Sequence, residues 1–405
     1  MAILEPLPRP LPGLKECLAG VDRHNLVNAL VAWLFAISGP VVIILAVGRQ
    51  GGLAPGDLSS WVFAAFGFGG LLTMSYSYLF RQPIAIMWTI PGAVLVGGAL
   101  LHLTFAEVIG AYLVCGVLLA FLGVTGLVRK IMAAIPMPIV MAMVAGVFLP
   151  FGLNIIKAFD EATVMAIVMV AAFAIPTALP RLGRVLPPVL CALAAGTAAI
   201  IFSGQMTGVE IPSLAIAEPI LYTPVFTLRA LGELVVPLAV TVIAAQNAQG
   251  FVILRQAGFE PPENSLTVTC GLGSLVFGIF GSVPTCVTGP ANAILNTSGA
   301  KERRYMAGVL FGLFAIAFGL FSPFTTGLGL VLPAVFINML GGLAMLGVLQ
   351  GAFTTAFGGP HALGALVSFL VTLSGVAILN VGAPFWGLVF GYAVTMLLRR
   401  RGLAS

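Results

Sequence analysis

Charge is what this chain of 405 residues has least of. Asp, Glu, Lys and Arg make up 8% of it, against about 25% in a soluble domain. That deficit excludes a globular protein with a solvated surface. Acids are scarcest where they would matter most. Of the 13 Asp and Glu, only Glu107, Glu161 and Glu233 fall inside apolar runs, each near an end. No carboxylate is therefore placed to carry a proton at mid-membrane. HExxH, Walker A and Gly-x-Ser-x-Gly patterns are missing too, and nothing points to an enzyme or to a cofactor. The five cysteines (Cys17, Cys115, Cys191, Cys270, Cys286) are scattered, which leaves neither a disulfide framework nor metal-ligand spacing. The first 24 residues hold Pro6, Pro8, Pro10 and Pro12 and no apolar core, so no secretory signal peptide is visible. The first membrane segment is expected to target the chain. The net charge of +5 is spread over short loops and reads as a topology signal, with no nucleic-acid partner expected.

What is abundant is apolar sequence: 60% of residues are hydrophobic and the mean hydropathy is +1.12. Apolar runs long enough to span a bilayer recur along the whole chain. The pattern predicts an all-α polytopic membrane protein of fourteen spans: about 25–48, 58–80, 84–102, 105–127, 133–153, 161–179, 185–203, 229–254, 264–281, 283–299, 303–322, 328–350, 361–376 and 379–398. The longest break, 204–228, divides them into two groups of seven. With the N-terminus cytoplasmic, only Arg49, Lys157 and Arg229 of the 18 Lys and Arg fall on the far side. The positive-inside rule is then satisfied with both termini cytoplasmic. An odd number of spans per half inverts the second half relative to the first, a 7+7 inverted repeat.

Two short stretches carry the functional signal. They are Gln82–Ala93, containing Thr89-Ile90-Pro91-Gly92, and Ser282–Ala293, containing Thr288-Gly289-Pro290-Ala291-Asn292. Their Thr-x-Pro elements are 199 residues apart. Each stretch predicts a short extended arm in spans 3 and 10, then a half-helix opening at a proline, where the missing N–H costs nothing. The half-helices are expected to run to about 102 and 299. Alone, each proline reads as an ordinary kink; as a symmetric pair they read as broken helices meeting at the midplane. Two helix N-termini facing each other form an anion site that needs no Lys or Arg.

Other polar groups converge on this reading. The eighth span carries Gln246, Asn247 and Gln249 in an apolar helix, with Gln246, Gln249 and Gly250 on one face. That face is expected to meet the site; interhelical glue is the alternative. Asn247 lies off that face, and Ser38-Gly39-Pro40 is a further irregularity in the first span. Trp88, before the first break, is a candidate wall for a flat ligand. Glu233, Glu107 and His102 are candidate proton relays.

The run Arg81–Ala93, with Ala244-Ala245-Gln246-Asn247 and Ala383-Pro384-Phe385-Trp386-Gly387-Leu388, resembles the bacterial benzoate/proton symporter (BenE-type) family over nearly the whole chain. The wider group is similar to nucleobase transporters and sulfate permeases. The resemblance implies a core domain (25–127 and 229–322) and a gate domain (128–203 and 323–398), with a cytoplasmic N-terminal segment (1–24) and a linker (204–228). It implies an inner-membrane secondary transporter in which the core moves as an elevator against the gate. The implied partners are a small aromatic carboxylate, protons, the lipid bilayer and a second copy as a homodimer. The implied site is Ser38, Trp88, Thr89, Ile90, Pro91, Gly92, Gln246, Gln249, Thr288, Gly289, Pro290, Ala291 and Asn292. A transporter of another small anion or a nucleobase, and a channel or sensor, are the alternatives.

Overall fold

The computed structural model describes residues 4–8, 11–128, 130, 136–179, 187–204, 212–297, 299–359, 361–376, 378 and 383–400. The starts of three expected spans (133–135, 185–186 and 379–382) lie outside the described residues. So do Arg9, Arg129, Arg181, Arg184 and Arg401. The described chain is mostly helical. Among the described residues, seven helices are long and apolar enough to cross a membrane, and five more are apolar but shorter.

A short helix α1 (Leu14–Gly20) precedes α2 (Arg23–Ser38), which starts where the Asp22 side chain accepts from Asn25 N. Pro40 cannot continue the hydrogen-bond ladder, so α3 (Pro40–Gln50) begins after the single residue Gly39. A Cβ at Gly39 would sit 2.9 Å from Ala344 Cβ, so the break also permits close packing. There follow α4 (Pro55–Phe80), strand β1 (Ile86–Trp88), α5 (Ile90–Ala99) and α6 (Phe105–Thr125). Then come α7 (Met137–Glu161), α8 (Thr163–Ala178) and α9 (Pro188–Phe202).

Residues 212–227 have no helix or strand and are pinned along their length. Ile220 N donates to Ser60 Oγ at 2.9 Å, Tyr222 N to Ile279 O at 2.9 Å and Val225 N to Ala106 O at 2.9 Å. The second half has α10 (Leu228–Gln256), α11 (Glu263–Ile279), strand β2 (Thr285–Val287), α12 (Gly289–Leu295) and α13 (Tyr305–Leu320). It closes with α14 (Ser322–Val331), α15 (Ala334–Phe357), α16 (Ala362–Ser374) and α17 (Ala383–Arg400). Helix α6 packs on α11, α4 on α13, α7 on α15 and α16 on α17.

Several boundaries depart from the sequence reading. Helix α7 runs to Glu161, beyond the expected 153. The expected twelfth span is two helices, because Leu332 before Pro333 is extended and a pre-proline residue disfavours the helical region. The half-helices stop at Ala99 and Leu295, short of 102 and 299. At 1.5 Å per residue they rise about 15 and 10 Å, well short of a hydrocarbon core about 30 Å thick.

Candidate functional site

An extended backbone at membrane depth must satisfy every N–H and C=O inside the protein. Here β1 and β2 do so by pairing with each other, antiparallel, with Met87 opposite Cys286. Past the strands the pairing continues reciprocally: Thr89 N donates to Pro284 O and Thr288 N to Ala85 O, both at 3.0 Å. Side chains from neighbouring helices take up the outward-facing groups. Thr73 Oγ1 accepts from Ile86 N and donates to Ile86 O, both at 2.8 Å. Ser77 does the same for Ile84, and Ser274 Oγ accepts from Thr285 N at 3.0 Å. Asn247 Oδ1 accepts from Val287 N at 2.7 Å, and Asn292 Oδ1 from Ala85 N at 2.8 Å.

This accounting sorts the expected site residues. Asn292 is fully buried, and its other end donates to Thr288 O at 2.7 Å. Both ends of its amide are spent on backbone, so it scaffolds the arms and does not line the cavity described below. Thr89 caps α5: its Oγ1 accepts from Gly92 N at 3.2 Å and donates to Thr241 Oγ1 at 3.1 Å. Gly92 has no room for a Cβ, which would strike Thr89 Cγ2. Gly289 is likewise a contact surface, since a Cβ there would lie 2.5 Å from Gln249 Oε1. The side chain of Ser38 lies outside the described residues.

What remains gathers round a cavity of about 370 Å³, where Ile90 and Pro91 of α5, Pro290 of α12, and Gln246 and Gln249 of α10 meet Met141 and Val144 of α7. Helix α10 is a π turn over Thr241–Asn247. The wider turn shifts the helix face, so Gln246 lines the cavity while the adjacent Asn247 ties down β2. Gln246 is 7% exposed and its Oε1 has no donor. Trp88, Thr288 and Ala291 do not line this cavity. They border an adjoining crevice of about 20 Å³, with Phe35 and Ile90 shared between the two spaces. Trp88 is 3% exposed, so it is packed behind the junction in this conformation.

A second cavity, of about 510 Å³, lies further along the same interface. Val94 and Leu95 replace Ile90 and Pro91 on α5, and Val147 and Pro150 replace Met141 and Val144 on α7. Here His102 Nε2 lies 2.9 Å from Glu233 Oε2 and 3.1 Å from Oε1, with Arg229 also lining the space. The two residues, 131 positions apart in sequence, form a pair that no local pattern announces. Glu107 has another role. It closes a capping box on Thr104 and accepts from Thr227 Oγ1 at 3.0 Å, so its carboxylate is committed to the end of α6.

The family model described as "Benzoate membrane transport protein" matches residues 20–397. The chain belongs to that family. Its members are membrane transport proteins, not enzymes. The chain is similar to the inner membrane protein YdcO of Escherichia coli, 30% identical over 95% of this chain and 99% of that one. It is also similar to the benzoate membrane transport protein of Acinetobacter baylyi, 27% identical over 92% and 94%. Among solved structures, the transmembrane domain of a cyanobacterial bicarbonate transporter, BicA, superposes with a TM-score of 0.60 at 17% identity, covering 97% of this chain and 98% of that one. The murine solute carrier 26 family member A9 anion transporter, in its inward-facing state, gives 0.58 at 11% identity, covering 95% and 71%. These two likenesses establish a shared fold.

Proposed function

We propose that the protein is a secondary transporter that takes up benzoate or a related aromatic carboxylate. The observation that carries this reading is the cavity at the half-helix junction. Its volume falls in the range of about 300–1,000 Å³ usual for small-molecule sites. Two helix N-termini supply partial positive charge without a cation. The Gln246 amide offers a donor to the carboxylate, and the remaining walls are largely apolar, as a ring requires. The family and its A. baylyi member support the choice of benzoate.

In this reading the fourteen spans form a 7+7 inverted repeat, with both termini cytoplasmic. Spans 1–4 and 8–11 form the core that carries the site; spans 5–7 and 12–14 form the gate. Access alternates as the core slides along the gate. The two cavities, displaced from each other along the same pair of helices, support this motion. A proton travels with the anion, and His102 with Glu233 hold it in the second cavity, where a His–carboxylate contact can pass a charge without a mid-membrane acid.

The test is uptake of labelled benzoate into proteoliposomes. Wild-type protein concentrates it under an inward proton gradient, and an uncoupler collapses the accumulation. Gln246→Leu, correctly inserted, loses uptake. Undiminished benzoate uptake by Gln246→Leu would overturn the site, and competition by sulfate or uracil in place of benzoate would overturn the substrate.

A further inference from the structure

We infer that Gly347 and Gly351 on α15 set the size of ring the transporter accepts. This rests on the binding reading above. The two glycines are four residues apart and so share one face of the helix. Both line the 370 Å³ cavity together with Gln246, and Val348 and Thr355 continue the same wall.

Glycine is destabilising in a helix interior, because its backbone loses the most freedom on folding. Packing explains some of the glycines in α15. A Cβ at Gly342 would lie 2.7 Å from Ile155 Cγ1, so α7 needs the space. It does not explain Gly347 or Gly351: a Cβ at either meets no heavy atom within 4 Å. Neither has a positive φ, so backbone conformation does not require glycine either. What these residues provide is empty volume in the cavity wall. An independent observation says that the volume is for a ligand. Gln246, more than nine-tenths buried at 7% exposure, lines the same space, and its amide has no hydrogen-bond partner among the described residues.

The division of labour follows. The carboxylate end is fixed by the Gln246 amide on the α10 side, where Pro91 and Pro290 close the wall. The far end of the ligand must then reach towards α15, where the two missing side chains leave a slot. A flat ring enters it, and a methyl group on either glycine shortens it.

The experiment is equilibrium binding of benzoate and 4-methylbenzoate to the purified full-length protein, for wild type, Gly347→Ala, Gly351→Ala, Gly351→Val, Gln246→Leu and Gly359→Ala. One methyl group in an apolar pocket discriminates about tenfold or more. Both alanine variants are therefore expected to weaken 4-methylbenzoate about tenfold more than benzoate, with Gly351→Val weakening both. Gly359 lies beyond the end of α15 with open space around it, and its variant keeps the wild-type ratio. Alanine favours a helix over glycine, so the midpoint of thermal unfolding stays level or rises; a fall would show that the glycines serve packing and would overturn the inference. An unchanged ratio in both alanine variants, with Gln246→Leu weakened, overturns this inference alone. No binding by wild type, or full binding by Gln246→Leu, overturns the site itself and this inference with it.

Discussion

Thr89 and Thr288 occupy equivalent places and do different things. Each amide reaches across to the other arm, Thr89 N to Pro284 O and Thr288 N to Ala85 O. The Thr89 hydroxyl closes the N-terminus of its own half-helix, whereas the Thr288 side chain makes no capping bond. Loss of an N-cap costs about 1 kcal/mol. Thr89→Ala is therefore expected to lower the unfolding midpoint in detergent, whereas Thr288→Ala leaves it nearly level. The Thr288 variant should instead weaken benzoate binding, because Thr288 borders the crevice beside the junction. Equal loss of stability in the two variants would show that the hydroxyls are equivalent after all.

Asn292 and Asn247 hold the two extended arms. Removing either amide strands a buried backbone N–H, that of Ala85 or Val287, and such a group costs about 1–3 kcal/mol. Asn292→Ala and Asn247→Ala should each lower the thermal midpoint, and by more than Gln249→Ala. A calorimetric or dye-based melt of the three variants decides this. A neutral Asn292→Ala would mean that Ala85 N finds another acceptor.

Much of this junction was legible in the sequence, because its cause is local. A proline three residues after an apolar arm dictates a helix start, and two such starts 199 residues apart suggest a symmetric pair. The supports were not legible, because they come from distant helices. Thr73, Ser77 and Ser274 read as small polar residues in apolar spans, and only the pairing of β1 with β2 shows what they satisfy. The spacing of Thr73 and Ser77, four residues apart on one helix face, was the one available signal. Asn292 and Gln246 look alike on paper, yet one amide is consumed by backbone and the other borders a cavity. The split of the twelfth span at Pro333 was readable from the rule that breaks helices before proline; the apolar character of the flanking residues hid it.

The His102–Glu233 contact predicts a separation of transport modes. If the pair carries the coupling proton, Glu233→Gln stops concentrative uptake while leaving exchange of internal for external benzoate intact. Exchange needs the site and the motion but no net proton transfer. Counterflow in proteoliposomes with no gradient measures it. Glu107→Gln, whose carboxylate caps α6 and accepts from Thr227, should keep both modes. Loss of counterflow in Glu233→Gln would move this residue from coupling to structure.

The N-terminal segment gives a pH prediction with a definite sign. Glu5 lies against the start of α11, where its carboxylate accepts from Asn264 N and Ser265 N at 2.9 Å and from Ser265 Oγ at 2.8 Å. Burial alone would raise its pKa, but the backbone N–H groups of Asn264 and Ser265 and the Ser265 hydroxyl outweigh it and hold the carboxyl below the usual glutamate range. A group whose pKa is depressed in the folded state stabilises that state above its unfolded value, about 4.3 for Glu, and loses this as pH falls through the depressed value. Docking of the segment should therefore be constant from neutral pH down to about 5 and weaken below that. Protection from hydrogen exchange at the start of α11, taken relative to the intrinsic rate at each pH, should fall over this acid range in wild type. Glu5→Gln, which cannot ionise, should exchange faster already at neutral pH and show no added acid step at this position. A wild-type profile that is flat through the acid range, or a matching acid step in Glu5→Gln, would assign the pH response to another group.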